Sequence, residues 1–492
     1  MCRSSAGFSM EFQTQYLARA CRCKKTVIRH SKPVGIMPPS FASAVSNMRN
    51  ILIILVIVAV LGGGYGVWVM NSSTPATTAA TPAMDKPLLR IHGSNTIGEH
   101  LMPQLATAYL QKEGYANVRL QNLAPVENLI VARQHPSRPN VNIEIKAHGS
   151  STSFVSLAEG AADLGMSSRR IKSEEVEKLS ALGDMTADGQ EHIIALDALA
   201  VIVHPENPLK QMTLEQIAQI FSGQISDWSS VGAPAGAITV LARDDKSGTW
   251  DTFDSLVLKP AKVKLVDGAK RFESSEELAT QVSNDRNAIG FVGIAHVYRS
   301  KPLAVAKDNN SPFALPSRHT IGTENYVLSR RLYLYQPKPT GGTDVVTRFI
   351  EFVRSNEGQR YAGESGLIPF YPTRDKPRIA NQKYSARYRS LASLGDRLSV
   401  TFAMMDNAQL VEDGKFERDL LRVQQFIQDG KAKNLVLVDV RPGSNSNEFS
   451  PAIQRLESLL QTQNIPVYDK VLVTNGPEEF LQQSAQIEIW TL

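Results

Sequence analysis

Cysteine is scarce in this 492-residue chain. Cys2, Cys21 and Cys23 are all there is, so nothing beyond residue 23 offers a thiol. That excludes a disulfide framework and a cysteine nucleophile from the bulk of the chain. The pair Cys21 and Cys23 with His30 matches no strong metal template. No H-E-x-x-H pair or clustered carboxylate pattern argues for a metal, and no G-x-S-x-G elbow sets up a serine nucleophile. Basic charge is also lacking once the N-terminus is set aside. Residues 1–50 carry eight Lys/Arg against Glu11 alone, a net +7, whereas the whole chain is +5, so the other 442 residues sum to −2. No nucleic-acid partner follows from such a balance. The expectation is a protein with no cofactor, no metal and no catalytic residues, not an enzyme.

Long apolar runs are equally rare. Residues 51–70 are twenty positions without a charge, enough to span a bilayer. The Lys/Arg excess before them keeps the N-terminus cytoplasmic. The dense part, 51–61, would also serve as a signal-peptide core, but no A-x-A site follows closely. Residues 48–70 are therefore expected to form an uncleaved transmembrane helix, a single-pass inner-membrane anchor with the bulk of the chain in the periplasm. A cleaved signal sequence is the alternative. Residues 1–47 form a basic leader consistent with a misassigned start. Residues 71–87 are a Pro/Thr/Ala linker.

From residue 88 to about 373 strand-like and helix-like patterns alternate, which predicts an α/β domain. Residues 193–204 (I-I-A-L-D-A-L-A-V-I-V-H) read as a buried strand, 214–221 as a helix, and 288–294 as a second buried run that could return the chain between lobes. Residues 343–352 read as an amphipathic helix. Residues 374–395 read as a polar, basic linker whose charges face water. From 396 to 492 a smaller α/β domain is expected, with strands at 398–402, 434–440 and 467–473 and helices at 416–429 and 452–463.

The stretch around which the chain is organised is 243–253, R-D-D-K-S-G-T-W-D-T-F. Small residues at a helix start leave backbone N–H groups free at the positive end of the helix dipole. An oxyanion fits such a place. Arg243 adds a planar, permanently charged fork. Two further loops have the same character: H-G-S-N-T at 92–96 and H-G-S-S-T at 148–152, each after a strand-like run and before a helical one. Ordinary helix capping, or a solvated Arg243–Asp245 pair, would explain one such loop; three can converge on a single anion. His92 and His148 read as strand-end residues, and Asp197 as a hydrogen-bonded hinge or core residue.

Five motifs together resemble the periplasmic phosphate-binding proteins, the substrate-binding components of phosphate ABC transporters. They are G-S-N-T, G-S-S-T-S-F, L-D-A-L-A-V-I-V-H-P-E-N-P, L-E-Q-I-A-Q-I-F-S-G-Q-I-S-D-W and R-D-D-K-S-G-T, in that order over residues 88–373. The resemblance implies a type II periplasmic-binding fold, two lobes on a hinge closing over phosphate or a similar oxyanion. It assigns ligand contacts to Ser94, Asn95, Thr96, Ser150, Ser168, Arg243, Asp245, Ser247, Gly248 and Thr249. Some family members carry an aspartate where this chain has Ser168. A hydroxyl repels sulfate far less than a carboxylate would, so sulfate should compete unless Asp245 supplies the proton acceptor.

Residues 396–492 resemble, more weakly, an OmpA-like peptidoglycan-binding domain. The Gly-x-Thr-Asp strand end of that family is missing; L-V-D-V-R-P-G at 437–443 stands there. Asp439 and Arg455 could stand in for its Asp and Arg, so the domain is expected to be degenerate. The resulting expectation is a membrane-anchored binding protein for phosphate or a related oxyanion, serving uptake or sensing, with an ABC permease and peptidoglycan as candidate partners. The alternative is a cell-envelope tether with a vestigial ligand site. A phosphomonoesterase is disfavoured by the lack of an activated nucleophile.

Overall fold

The computed structural model describes residues 87–492 except 339–343, 378, 380 and 478–482. The proposed anchor at 48–70 lies outside the described residues. Among the described residues no helix is long and apolar enough to cross a membrane.

Two apolar cores organise the chain up to about residue 373. The first surrounds the parallel strands β1 (Leu89–Gly93), β4 (Val141–Lys146) and β5 (Leu164–Ser167), β1 lying between the other two. Alternate residues Leu89, Ile91, Ile143, Ile145, Leu164 and Met166 are buried there, the period of a strand with one face inward. Helix α2 (Leu101–Lys112), which follows the short helix α1 (Asn95–Gly98), covers them with Leu101, Leu105 and Leu110. An antiparallel hairpin, β2 (Asn117–Ala124) and β3 (Glu127–Arg133), extends the sheet edge. The second core surrounds β7 (Thr239–Arg243), to which β8 (Lys270–Phe272) pairs, and β9 (Ala288–Gly293), with Phe221, Phe253 and Phe291 packed together.

Strand β6 (Glu191–Val203) joins the two cores. Its residues from Ile194 onward are all buried, which explains the near-continuous apolar run. Residues 191–198 pair with β10 (Ser329–Tyr335), and residues 199–203 pair with β9. Ile194 and Ala195 belong to the first core, Leu199, Val201 and Val203 to the second. The strand that returns the chain from the second core to the first is β10, not the run at 288–294, which pairs with β6 within the second core. The difference arises because an apolar run reports burial and says nothing about which neighbour it pairs with.

The helix expected at 214–221 is present at Leu214–Phe221, capped by Thr213, whose side chain accepts from the Gln216 N–H at 3.2 Å. The helix expected at 343–352 is Val345–Arg354.

The C-terminal part forms a separate sheet in the order Arg374–Asp375, Asp396–Ala403, Gln486–Thr491, Leu435–Val440, Val467–Val473. Helices Gly414–Gln428 and Pro451–Thr462 cover one face through Val423, Phe426, Leu456 and Leu460. The other face is covered by a helix at Ala386–Leu394, whose Tyr388 and Leu391 pack with Trp490. Residues 374–395 are thus part of this module and not a bare linker. Polar and basic composition concealed this, because a nine-residue helix needs only a few apolar contacts on one side. Arg422 docks the module: its side chain is buried, and it donates to the Phe370 carbonyl and, at 3.3 Å, to the Gly322 carbonyl.

Candidate functional site

Three loops meet where the two cores adjoin. The first follows β1 and opens the short helix Asn95–Gly98; the second opens α3 (Ser150–Ala158); the third follows β7 and opens α4 (Gly248–Phe253). The Gly149 N–H donates to the Gly93 carbonyl at 2.8 Å, joining the first two. Gly149 has φ +104°, and a Cβ there would lie 2.3 Å from the Lys246 carbonyl oxygen, so only glycine lets the second loop touch the third. Gly248 is needed for a different reason. A Cβ on it would stand 2.1 Å from Ser150 Oγ and 2.6 Å from Ser168 Oγ.

Around this meeting point the structure gathers buried polar side chains. Ser150 and Ser168 hydroxyls lie 3.2 Å apart, and Ser150 Oγ accepts from the Ser168 N–H at 2.9 Å. Thr96 and Thr249 hydroxyls face each other at 3.4 Å. Ser94 Oγ is buried without a hydrogen-bond partner, a state that normally costs free energy. Ser247 is buried and caps its helix, accepting from the N–H groups of Thr249 at 3.2 Å and Trp250 at 3.4 Å. Its hydroxyl is therefore engaged in the cap.

Arg243 is fully buried at the end of β7. It donates through Nη2 to Asn95 Oδ1 at 3.2 Å, through Nε to the Phe272 carbonyl at 3.3 Å, and to Ser275 Oγ and the Glu273 carbonyl. Burial lowers its pKa to about 10, so it stays cationic at neutral pH.

A second arginine completes the cluster. Arg330, near the start of β10, donates to Thr249 Oγ1 at 2.9 Å, Thr96 Oγ1 at 3.1 Å and Ser168 Oγ at 3.5 Å. Asp197 in β6 holds the same guanidinium at 2.6 Å and also accepts from the Ile294 N–H at 3.1 Å. The sequence reading missed Arg330. The S-R-R-L-Y-L-Y stretch at 329–335 does show strand-like alternation at Leu332 and Leu334, but nothing in it marks Arg330 over Arg331. Asp197 is the buried, hydrogen-bonded residue the sequence suggested, now with a named partner.

Asp245 does not join this group. Its side chain is 84% exposed and pairs with Arg271 at 2.7 Å. The turn after Arg243 directs it to solvent, so it cannot accept a proton from a ligand among the buried hydroxyls. Asp245→Ala should change anion affinity by no more than about twofold, the range of an ordinary surface substitution. Calorimetric titration with phosphate checks this, and a tenfold loss would return Asp245 to the site.

His92 and His148 pair with carboxylates, Glu144 at 2.8 Å and Glu127 at 2.7 Å respectively. In the C-terminal module Asp439 is buried at the end of its strand and accepts from the Ser450 N–H at 2.7 Å. Arg455, by contrast, is on the surface and pairs with Glu412 at 2.9 Å. The two do not form one ligand site, because the helix carrying Arg455 turns that face to solvent. Asp439 has Arg441 as its ion-pair neighbour at 3.2 Å, and Arg455 has Glu412.

Two cores joined by the β6–β10 strand pair, with a buried cationic cluster where they adjoin, give the mixed α/β fold of the periplasmic-binding-protein class. The model of the PBP superfamily domain matches residues 125–357. Phosphate-binding protein PstS of Pseudomonas aeruginosa is 31% identical over 246 residues, spanning 47% of this chain and 75% of that protein. The PstS of Borreliella burgdorferi is 26% identical over 260 residues, 50% of this chain and 86% of its own length. The solved ABC-type phosphate transport receptor of Vibrio cholerae is 24% identical, with a TM-score of 0.42, over 57% of this chain and 99% of that one. The chain belongs to the PstS family of phosphate-binding proteins.

Proposed function

We propose that this protein binds inorganic phosphate between its two lobes and serves phosphate uptake through an ABC permease, or phosphate sensing, without a catalytic step of its own. The observation that carries this reading is the pairing of Arg243 with Arg330. Two buried guanidinium groups flank the first loop, Arg243 on Asn95 and Arg330 on the hydroxyls of Thr96, Ser168 and Thr249, with Asp197 the carboxylate paired to the second. An anion with several acceptor oxygens satisfies such donors better than water does. The names of the PstS relatives agree with it. We further propose that residues 48–70 anchor the protein in the inner membrane, and that the C-terminal module is an OmpA-like domain lacking the family's ligand pair.

The test is calorimetry of the full-length protein with phosphate. One-to-one binding is expected, and the absence of heat would remove the proposal. Ser150→Ala deletes a neutral hydroxyl and should cost about 1 kcal/mol of binding free energy, within the usual range for such a contact. With Ser168 beside Arg330 and no carboxylate facing the anion from Asp245, sulfate should compete measurably in the same titration. Complete insensitivity of phosphate binding to sulfate would show that another group supplies the discrimination.

A further inference from the structure

Beside the anion cluster lies a second group of side chains that phosphate binding does not use. Glu99 and His100 follow directly on the first loop, at the break between the short helix Asn95–Gly98 and α2. His296 ends the turn Ile294–His296 after β9, in which Ile294 packs against the second core and Ala295 against the first. Glu99 Oε2 lies 3.6 Å from His296 Nδ1. The rings of His100 and His296 stack with centroids 5.5 Å apart. The Tyr298 hydroxyl lies 3.3 Å from His100 Nε2 and 3.4 Å from His296 Nδ1.

We propose that Glu99, His100 and His296 form a binding site for a divalent transition-metal ion of the Zn2+ class, tying the start of α2 to the turn after β9. One donor atom from each residue lies within 4.8 Å of the others. Tetrahedral Zn2+, with bonds of about 2.0–2.2 Å, requires donors roughly 3.3 Å apart. The donors stand at most about 1.5 Å further apart than a bound ion would hold them, a difference the exposed His100 side chain can reduce by rotation, and three protein ligands leave a fourth position for water. Two imidazoles and one carboxylate are a donor set that suits this ion.

The ordinary alternative, a histidine–carboxylate ion pair, fits poorly. The 3.6 Å separation is too long for a hydrogen bond. His296 is completely buried, where a charged ring is costly to hold. Glu99 Oε1 and His296 Nε2 are both buried without a hydrogen-bond partner. Glu99 Oε1 and His296 Nε2 thus keep unspent bonding capacity, while His100 Nε2 and His296 Nδ1 have the Tyr298 hydroxyl as their hydrogen-bond neighbour. Motif spacing could not reveal this, because His100 and His296 are 196 positions apart.

The test uses tag-free full-length protein carrying Cys21→Ser and Cys23→Ser, stripped of metal, in phosphate-free buffer. Titration with Co2+ should give the visible absorption of a four-coordinate ion at one equivalent, displaced by one equivalent of Zn2+. His100→Ala, whose side chain is exposed and expendable for folding, should weaken Zn2+ binding by at least about 10- to 100-fold, the loss typical of a supporting residue alone. Glu99→Gln, close in shape, should do the same. Unchanged thermal melting and phosphate binding in both variants would show that they remain folded. No cobalt absorption, or equal Zn2+ affinity in wild type and both variants, overturns the proposal, whatever the outcome with phosphate.

Discussion

Phosphate binding should weaken by about 30- to several-thousand-fold when Arg330 is replaced by alanine, and by a similar factor for Arg243→Ala. Truncating one partner of a buried, charge-assisted contact costs about 2–5 kcal/mol, and each 1.4 kcal/mol is tenfold in affinity. The two variants act through different surroundings. Arg243 is held by Asn95, Ser275 and two carbonyls, all neutral partners, so its charge is free to meet an anion. Arg330 already shares its charge with Asp197, yet its second nitrogen reaches Thr249 and, more distantly, Ser168. Lysine at either position should recover only part of the loss, since a point charge cannot reproduce the planar fork. Calorimetry with phosphate decides the matter. If Arg330→Ala bound phosphate as tightly as wild type, the cluster would be a structural knot and the anion site would lie elsewhere.

The second large effect is expected on stability. Asp197→Ala should lower the unfolding free energy by about 3–5 kcal/mol, because it leaves the buried Arg330 without its counter-charge. The carboxylate is wholly buried and its partner nearly so, which leaves no route for water to take over. Asp197 also accepts the Ile294 N–H, so the substitution strips a backbone donor as well. A double variant, Asp197→Ala with Arg330→Met, should be more stable than Asp197→Ala alone, since it removes the stranded charge. Urea unfolding followed by tryptophan fluorescence reads both, Trp228 and Trp250 lying in or against the second core. A double variant less stable than the single one would contradict the stranded-charge account.

Asp197 and Arg330 also show where local reading stops. Asp197 stands out in an apolar strand as a residue that needs a partner, because a charge inside a buried run is costly when unpaired. Which cation answers it depends on β10 pairing alongside β6, 133 positions later in the chain. The reverse error occurred with Asp245. Its closeness in sequence to Arg243 and Ser247 suggested a shared site, yet a turn of three residues separates inward from outward directions completely. Asp439 and Arg455 part for another reason, since the helix Pro451–Thr462 carries Arg455 on its solvent face.

By itself the sequence determined what repeats locally. Apolar periodicity placed the helices Leu214–Phe221 and Pro451–Thr462 and the strands Glu191–Val203 and Val467–Val473 to within a few residues. Gly, Ser and Thr at three strand ends marked loops able to present hydroxyls and amides, because those residue types act through their own backbone conformation. Tertiary structure decided which of these groups meet. Burying two cores on either side of β6 brought Arg330 to Thr96, Ser168 and Thr249, turned Asp245 outward, and set His296 beside Glu99. Local periodicity is a property of a few turns of chain, whereas these meetings depend on strand pairing between distant segments, and no short stretch carries that.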